Sequence, residues 1–460
     1  MSTSTRQKLS ERDEPPKSTF PLYFFIVSNI CVPAIKKFFK WFLAKSTEQL
    51  IVTVPDVKFN ETFGLKDETN NNDRPQPVHL TIMNPVHFCW LLLLDPKMGL
   101  GETYMANDWK ASPNPTELLR LLIRAKRQTA AARKAQNGGE SPKSSSLTSQ
   151  LSSAFVAVIR YIAKCINYIQ HTWQENSLTQ STKNIEAHYD LGNDMFKLFL
   201  DKSMTYSCAL FDDIKPVTNF DFDVLEKAQY KKMDRLIEQL ELKAEDHVLE
   251  IGCGWGAAAI RAVQKTGCKW TGITISKEQL EWGRKKVVEA GLESRIDLRF
   301  QDYRLVKEKY TRVLSIEMIE AVGEKYLPQY FQIINDVLED GGIFALQGII
   351  CPDAYYDQYK KSSDYIKKYI FPGGHLPSLG AIASSLPKTM KQTDLFSMGH
   401  HYSMTLEHWF FAWMKAQPEI ESMRLPSDFH RRWQFYFCLC AALFSYDNID
   451  VVQMTFKKDK

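Results

Sequence analysis

The spacing of hydrophobic positions changes at about residue 240 and separates two kinds of structure. Beyond that point, short apolar runs alternate with amphipathic stretches of helical period, such as 255–265, 277–291 and 324–342. The predicted strands are 247–254, 270–276, 295–302, 312–319 and 343–352. Repeated strand–helix–strand units of this kind predict an α/β domain built on a parallel, doubly wound sheet.

A different pattern precedes this domain. Its elements are strand-like segments at 50–56 and 78–84, an apolar run at 88–109 that closes on glycine turns, and a helical stretch at 116–127. Together they predict a small α+β domain over 31–128. The following stretch, 129–150, is rich in Ser, Ala, Gly and Lys and is typical of a flexible linker. The α/β domain is therefore assigned to 151–460, with a helical segment at its start.

The first 30 residues combine a polar tail with an apolar extension. Residues 20–35 are mostly apolar, but Ser28, Asn29 and Pro33 interrupt them, and the run is too short to span a bilayer comfortably. Two interpretations stay open: an anchor at the membrane surface or re-entrant in it, and a helix packed on the first domain. The segment that follows, 35–46, is amphipathic and basic.

Composition narrows the class of protein. A hydrophobic fraction of 44% with 12% aromatic residues excludes a mainly disordered chain. The net charge of +4, from 58 basic and 54 acidic residues, is too balanced for a protein that coats nucleic acid, so no nucleic-acid partner is expected. Nine cysteines without a CxxC pair argue against a disulfide framework or a structural zinc site and favour a reducing, cytoplasmic location.

One segment carries a local excess of positive charge. Between residues 117 and 164, nine Lys and Arg residues stand against two glutamates. Such a basic collar beside apolar helices suits an anionic lipid surface and predicts peripheral membrane association. The alternative is a solvated linker without a partner.

The most informative motif is the first strand-to-helix turn, which contains Glu250, Gly252, Gly254 and Gly256. Glycines let the backbone approach a ligand, and the helix amino terminus adds positive potential. The third glycine comes one residue too early for a dinucleotide fingerprint, because Ala257 stands where that glycine belongs. With the acidic Glu250 before it, the turn favours S-adenosylmethionine (SAM) over NAD.

The next two strand ends supply further candidates for the cofactor site. No acid ends the second strand, so Thr274 and Gln279 are expected to contact the ribose, although Ser276 in the same turn suggests simple helix capping instead. The third strand ends in Asp302 and Tyr303, an acid and an aromatic ring that suit the adenine. Asp302 also fits an ordinary turn at the end of a strand.

Taken together, these motifs resemble the cyclopropane-fatty-acyl-phospholipid synthase family, which includes the mycolic acid cyclopropane synthases. The matching stretches are 95–109, 188–201, 204–211, 249–256, 272–279, 301–304, 315–323, 369–378 and 400–409. The resemblance covers roughly 35–460 and implies a class I SAM-methyltransferase fold, Rossmann-like and doubly wound, with a small N-terminal α+β domain. It also implies a homodimer that acts on unsaturated phospholipid in a bilayer.

The family's reaction methylates a cis double bond of an acyl chain, and a carbocation then loses a proton as the cyclopropane ring closes. The resemblance implies a bound bicarbonate as the base, held by Cys208, Glu320, Ile349 and Tyr402. The family's histidine in this set is replaced by Gln347, which donates a hydrogen bond but cannot be protonated. Two further positions, Tyr206 and Ser207, match residues that contact SAM.

Each of these residues also has a purely structural interpretation. Glu320 suits a helix cap, Gln347 a satisfied core amide, and Cys208 inert packing, since a thiolate beside a sulfonium would take the methyl group itself. Aromatic candidates for lining the cation and acyl pocket are Tyr189, Tyr206, Phe371 and Tyr402, and the loop around His375 is expected to lie over the site. No metal is expected, because His400 and His401 lack further ligands at suitable spacing.

Three functions remain open at this point. The first is cyclopropane formation on phospholipid acyl chains. The second keeps the fold and cofactor but changes the outcome, to methyl branching or to methylation of a sphingoid base or a small amine. The third is a lipid-binding protein without catalysis, against which the glycine turn, Glu320 and Tyr402 argue.

Overall fold

The computed structural model describes residues 21–64, 77–136 and 192–460. They belong to two compact units, Met1–Ala163 and Lys164–Lys460. The helical segment expected at the start of the α/β domain, Tyr189 and most of the expected linker lie outside the described residues.

The N-terminal unit begins with one continuous helix, α1 (Pro21–Phe42), which includes a π-helical turn at Val27–Cys31. Residues four apart on one face, Val27, Cys31, Ile35 and Phe39, are buried, as helical periodicity requires. The boundary expected at residue 30 is therefore wrong, because the apolar stripe continues across it. By length and composition α1 could cross a membrane, a criterion that core helices and signal sequences also meet.

A four-stranded sheet follows. Its strands are β1 (Leu50–Val54), β2 (Phe59–Phe63), β3 (Val78–Ile82) and β4 (Trp109–Ser112), in the order β2-β1-β3-β4. The central pair, β1 and β3, is parallel, and the outer strands are antiparallel to their neighbours. The strands predicted at 50–56 and 78–84 are both confirmed.

Three further helices are described in this unit, within residues 77–136: α2 (Pro85–Leu94), α3 (Pro96–Met105) and α4 (Pro115–Gln136). The prediction of glycine turns after residue 88 is wrong. Gly99 lies inside α3, where a Cβ would come within 2.5 Å of the Leu91 carbonyl oxygen, so the glycine permits close packing on α2. The linker predicted from 129 is also wrong as far as Gln136, because the Ala-rich sequence continues α4 with high helix propensity.

The C-terminal unit contains a seven-stranded sheet. Its strands are β5 (His247–Ile251), β6 (Lys269–Thr274), β7 (Ile296–Phe300), β8 (Tyr310–Ile316), β9 (Leu338–Ile350), β10 (Met390–Ser397) and β11 (Asp450–Lys458), in the order β10-β11-β9-β8-β5-β6-β7. The helices described from residue 192 onward are α5 (Asn193–Phe196), α6 (Phe222–Gln239), α7 (Ala257–Thr266), α8 (Lys277–Glu289), α9 (Leu327–Val337), α10 (Asp353–Lys360), α11 (Tyr365–Tyr369), α12 (Leu379–Ser385), α13 (Gly399–Lys415), α14 (Gln417–Ser422) and α15 (Phe429–Phe444).

The predicted α/β alternation and fold class are confirmed, with two local differences. The five predicted strands are parallel, but β10 and β11 add an antiparallel pair beside β9. The helix predicted at 324–342 ends at Val337, because the following residues, including Gly341 and Gly342, already belong to β9. The carboxyl ends of the parallel strands meet at one edge of the sheet, where ligands of such folds bind.

Candidate active site

The turn between β5 and α7 has the backbone shape that its glycines allow. Gly252, Gly254 and Gly256 have φ angles of 81°, 51° and 87°, in the left-handed region that favours glycine. The amides of Gly252 and Cys253 both donate to the Ile273 carbonyl at 3.0 Å, which fastens the turn to β6. A Cβ on Gly254 would meet no described atom within 4 Å, so this part of the backbone is open to a ligand.

Glu250 lies directly before this turn and is buried. Its Oε2 accepts a hydrogen bond from Trp270 Nε1 at 2.9 Å. Burial raises the pKa of Glu250 to about 8, against the opposing effects of the Trp270 hydrogen bond and the positive charge of Lys232. The carboxyl group is thus mostly protonated at neutral pH and would be ionised by a cationic ligand placed beside it.

The two candidates at the end of β6 bind each other. Thr274 Oγ1 donates to Gln279 Oε1 at 2.9 Å, and both residues are buried. Ser276 caps α8 by accepting from the Gln279 amide at 3.3 Å, so the capping interpretation describes that serine correctly.

At the end of β7, Asp302 is held by Arg304 rather than left open. Two hydrogen bonds, of 2.8 Å and 2.6 Å, join the guanidinium to both carboxylate oxygens. The neighbouring Tyr303 packs edge to face on Tyr330, with 5.5 Å between ring centroids. The ring and the carboxylate are thus fixed side by side at the edge of the sheet, and a ligand at Asp302 would share the carboxylate with Arg304.

The centre of the site is a glutamate that the sequence motifs did not single out. Glu317 follows β8 with a φ of 49° and accepts three hydrogen bonds. The Cys208 amide donates to Oε1 at 2.8 Å, Gln347 Nε2 donates to the same oxygen at 2.7 Å, and Tyr402 Oη donates to Oε2 at 2.7 Å. One carboxylate therefore brings together three of the five predicted catalytic residues.

The other two predicted residues form a second contact beside it. Ile349 donates its amide to Glu320 Oε1 at 2.5 Å. The second oxygen, Oε2, is buried and has no hydrogen-bond donor among the described residues. Burial first, and repulsion from Glu317 second, raise the pKa of Glu320. The His375 amide donates to the Glu320 carbonyl at 2.8 Å, which places the predicted loop next to this group.

Gln347 is satisfied on every side. Its amide nitrogen also donates to the Cys208 carbonyl at 3.3 Å, and its oxygen accepts from Gln453 Nε2 at 2.9 Å. The Gln453 oxygen in turn accepts from Arg235 at 2.9 Å. This chain fixes the amide orientation, because the Gln347 NH₂ must face the Glu317 carboxylate. The core-amide interpretation of Gln347 is therefore confirmed, and the same amide contacts Glu317, while its role in catalysis stays a prediction.

Aromatic rings surround the Tyr402 side of the centre. Tyr402 packs edge to face on Trp409 at 6.0 Å, and Tyr206 lies 5.2 Å from the same indole. The Tyr206 and Tyr436 hydroxyls are 3.0 Å apart, and Phe371 packs edge to face on Tyr436 at 5.7 Å. The predicted Tyr206, Phe371 and Tyr402 thus meet in one aromatic cluster, of a kind that stabilises cations through π faces.

Comparison with known proteins identifies the family of this chain. The profile of the mycolic acid cyclopropane synthetase family matches residues 176–454, which is more than half of the chain. The chain belongs to this family. Its relatives are SAM-dependent methyltransferases that act on lipids.

Individual relatives of the synthetase family extend the likeness beyond the matched region. The tuberculostearic acid methyltransferase UfaA1 of Mycobacterium tuberculosis is 33% identical over 360 residues, which is 78% of each chain. The cyclopropane-fatty-acyl-phospholipid synthase of Escherichia coli is 30% identical over 387 residues, 83% of this chain and 88% of that one. The structure of mycolic acid cyclopropane synthase CmaA1 with SAH and CTAB matches with a TM-score of 0.54, at 29% identity over 60% of this chain and 98% of that one.

A buried lysine completes the polar centre of this synthetase-family site. Lys232, on α6, is fully buried and donates to Ser207 Oγ at 2.6 Å. Burial lowers the pKa of Lys232 to about 8, while Glu317, and more weakly Cys208, Asp201 and Glu250, counteract that effect. The lysine charge therefore supports the ionised forms of the carboxylates on both sides of the site.

The Cys208 side chain is buried in the core, and its backbone amide donates to Glu317. Burial raises the pKa of the Cys208 thiol well above its usual range, and the negative charge of Glu317 adds to this. A thiolate nucleophile is not supported. Among residues 21–64, 77–136 and 192–460, no group of three or more His, Cys, Asp or Glu side chains could hold a metal.

Sequence reasoning missed Glu317, Lys232 and Gln453. The family pattern drew attention to Glu320, three residues later, although Glu317 stands at the carboxyl end of β8, a position where ligand-binding residues collect in such folds. That signal could have identified Glu317. Lys232 and Gln453 join the site from α6 and β11, and no local motif marks them.

Proposed function

We propose that this protein transfers a methyl group from SAM to the cis double bond of an unsaturated phospholipid acyl chain and closes a cyclopropane ring. The observation that carries the proposal is a carboxylate centre, Glu317, bonded through Tyr402 to a cluster of aromatic rings. An alkene attacked by a methyl cation equivalent becomes a carbocation. It needs π faces around it and a proton acceptor within reach.

The residues at the sheet edge fit SAM. The open backbone at Gly254 and the left-handed glycines would accept its methionyl part, beside Glu250. Gln279, Asp302 and Tyr303 would hold the nucleoside. When bound, SAM supplies an electrophilic methyl group on a sulfonium. The aromatic cluster around Tyr206 would exclude water from the reacting carbon, since water would otherwise capture the cation.

The N-terminal unit supports a bilayer as the source of the acyl chain. The outer face of α1 exposes apolar side chains, among them Leu22, Phe25, Ile30 and Trp41 at 55–68% exposure. Exposed lysines at 37, 40 and 45 accompany them. An apolar face flanked by lysines suits an anionic lipid surface, so we place the protein in the cytoplasm, peripherally bound to membranes.

The basic collar contributes less to this surface than its sequence suggested. Arg124 donates two hydrogen bonds of 2.7 Å to Glu48, and Arg120 is paired with Glu117 at 2.7 Å. Part of its charge is thus neutralised within the N-terminal unit. The residues of the collar beyond 136 lie outside the described ones.

A second outcome of the same chemistry is methyl branching without ring closure. The 33% identity to a tuberculostearic acid methyltransferase and the replacement of histidine by Gln347 favour this candidate. A sphingolipid acceptor is a further alternative. Cyclopropane formation, methyl branching and sphingolipid methylation share methyl transfer from SAM. They differ in the acceptor or in the fate of the carbocation.

A vesicle assay separates these functions. Purified protein is incubated with SAM and liposomes of cis-monounsaturated phospholipid, and the extracted acyl chains are examined by mass spectrometry and proton NMR. A gain of one CH₂ with upfield ring protons supports cyclopropane formation. One added carbon with olefinic or branched-methyl signals means methyl branching. Absence of product with SAM bound points to another acceptor such as a sphingolipid, and absence of SAM binding favours a lipid-binding protein.

The lipid surface is tested by Trp41→Ser, which removes an exposed ring from α1. We expect vesicle binding to fall by about tenfold, since a buried indole contributes of the order of 1–2 kcal/mol at an interface. Turnover on detergent-dispersed lipid should be unaffected. Leu395→Ser, an exposed apolar residue of the other unit, serves as the control. If added salt abolishes vesicle binding and Trp41→Ser leaves it unchanged, the role passes from the apolar face of α1 to basic residues, either the exposed lysines near α1 or the basic collar.

A further inference from the structure

The groups that resemblance assigns to a bicarbonate are already bonded to the chain itself. The Cys208 amide, Gln347 and Tyr402 donate to Glu317, and the Ile349 amide donates to Glu320. All four donors are satisfied by two glutamate carboxylates. A bicarbonate therefore does not fit these residues as they are arranged.

The Glu317 carboxylate can accept hydrogen bonds and a proton in the same way as the bicarbonate ion that it excludes. A carboxylate and a bicarbonate both present two oxygens to converging donors and both can accept a proton. Its Oε1 takes two of the hydrogen bonds and its Oε2 takes the third, as two oxygens of a planar bicarbonate ion could. Glu317 is half-buried as a whole residue.

The replacement of histidine by Gln347 belongs to the same arrangement. A glutamine locked by Gln453 always points an NH₂ group at Glu317, whatever the pH. A protonated histidine at this position would form an ion pair with Glu317 and lower its basicity. The neutral amide holds the carboxylate in place and lowers its pKa less than an imidazolium charge would.

We infer that Glu317 is the built-in general base of this protein and that its reaction is independent of bicarbonate. This inference rests on the proposed function, since it names the proton acceptor of that reaction. The alkene π pair forms the bond to the transferred methyl carbon, while the sulfonium C–S pair stays on sulfur. Glu317 takes one proton from the new methyl group, and that C–H pair closes the ring on the cationic carbon. The carboxyl group then releases the proton to water.

The surroundings of Glu317 suit a base. Burial raises its pKa, whereas Lys232 and the hydrogen bonds from Cys208, Gln347 and Tyr402 lower it. The charge of Glu317 in turn raises the pKa of the neighbouring Glu320. With a pKa above the ordinary carboxyl range, Glu317 is a stronger acceptor than an exposed glutamate.

The test compares two variants in the vesicle assay, with and without bicarbonate. In CO₂-free buffer the wild type should turn over at its full rate. Glu317→Gln should lose about 10²–10⁴-fold in kcat, the usual contribution of a general base, and bicarbonate should not rescue it. Glu317→Gly should lose a similar factor but regain turnover as bicarbonate is added, because the left-handed backbone accepts glycine and the donors become free. Glu324→Gln, an exposed glutamate of the next turn, is the control.

A binding measurement gives a readout that needs no turnover. Line broadening of ¹³C-labelled bicarbonate should be absent with the wild type and saturable with Glu317→Gly. Bicarbonate binding by the wild type, bicarbonate-dependent turnover, or a Glu317→Gln variant as active as the wild type would each overturn the inference. If the wild type binds SAM but forms no lipid product, the proposed function and the base role both fail. If it forms product only with bicarbonate, the base role alone fails, so the two failures are distinguishable.

Discussion

The cofactor side and the proton-accepting side of this site are built in different ways. The cofactor side is a continuous turn, in which Glu250 and three glycines lie within seven residues. The proton-accepting side gathers Cys208, Glu317, Gln347 and Tyr402, with an outer support from Gln453, across almost 250 residues of chain. The first depends on local backbone conformation and the second on the packing of the whole sheet.

This difference means that the two sides can be damaged separately. A substitution at the glycine turn should change SAM affinity and leave the later proton transfer intact. A substitution in the carboxylate centre should slow turnover and leave SAM affinity intact. Lys232 influences carboxylates on both sides and should couple them.

Apart from the Glu317 variants, the largest effect is expected from Glu320→Gln. The variant replaces a carboxyl group that accepts the Ile349 amide and interacts electrostatically with Glu317, so the proposed base loses part of its surroundings. We expect kcat to fall by about 10²-fold or more while the SAM dissociation constant changes by less than about twofold. Single-turnover kinetics and calorimetric SAM titration measure the two quantities. Normal turnover would show that the Ile349–Glu320 contact is structural.

A smaller effect, on SAM affinity rather than on turnover, is expected from Glu250→Gln. Because the pKa of Glu250 is raised to about 8, the free protein carries a proton there at pH 7, and a cationic ligand must displace it. SAM affinity should therefore rise from pH 6 to pH 8, by up to about tenfold per unit, and level off above. Glu250→Gln should bind SAM more weakly than the wild type at pH 8, and its SAM affinity should not rise between pH 6 and pH 8. Glu245→Gln, a substitution at an exposed residue just before β5, should keep the wild-type SAM affinity and its pH dependence.

The contrast between the two sides also explains what sequence could predict. The glycine turn, Glu250 and the parallel strands follow from local pattern, and the structure has them as expected. Glu317 was missed because its function arises only when Cys208, Gln347 and Tyr402 converge on it. The antiparallel strands β10 and β11 were missed for a similar reason, since the pairing of β11 with β9 and of β10 with β11 is set by the sheet and carries no turn signature of its own.

The smallest expected effect links the two sides. Lys232→Met keeps the side-chain volume of the buried lysine but removes its charge. The loss of a positive charge should raise the pKa of Glu317, so the acid limb of the pH–rate profile should move upward by about one unit. Glu317 is active when ionised, and turnover at pH 6 should fall more than turnover at pH 8. The exposed Lys227→Met on the same helix is the matched control. An unshifted limb would mean that Glu317 is not the group that titrates in the rate.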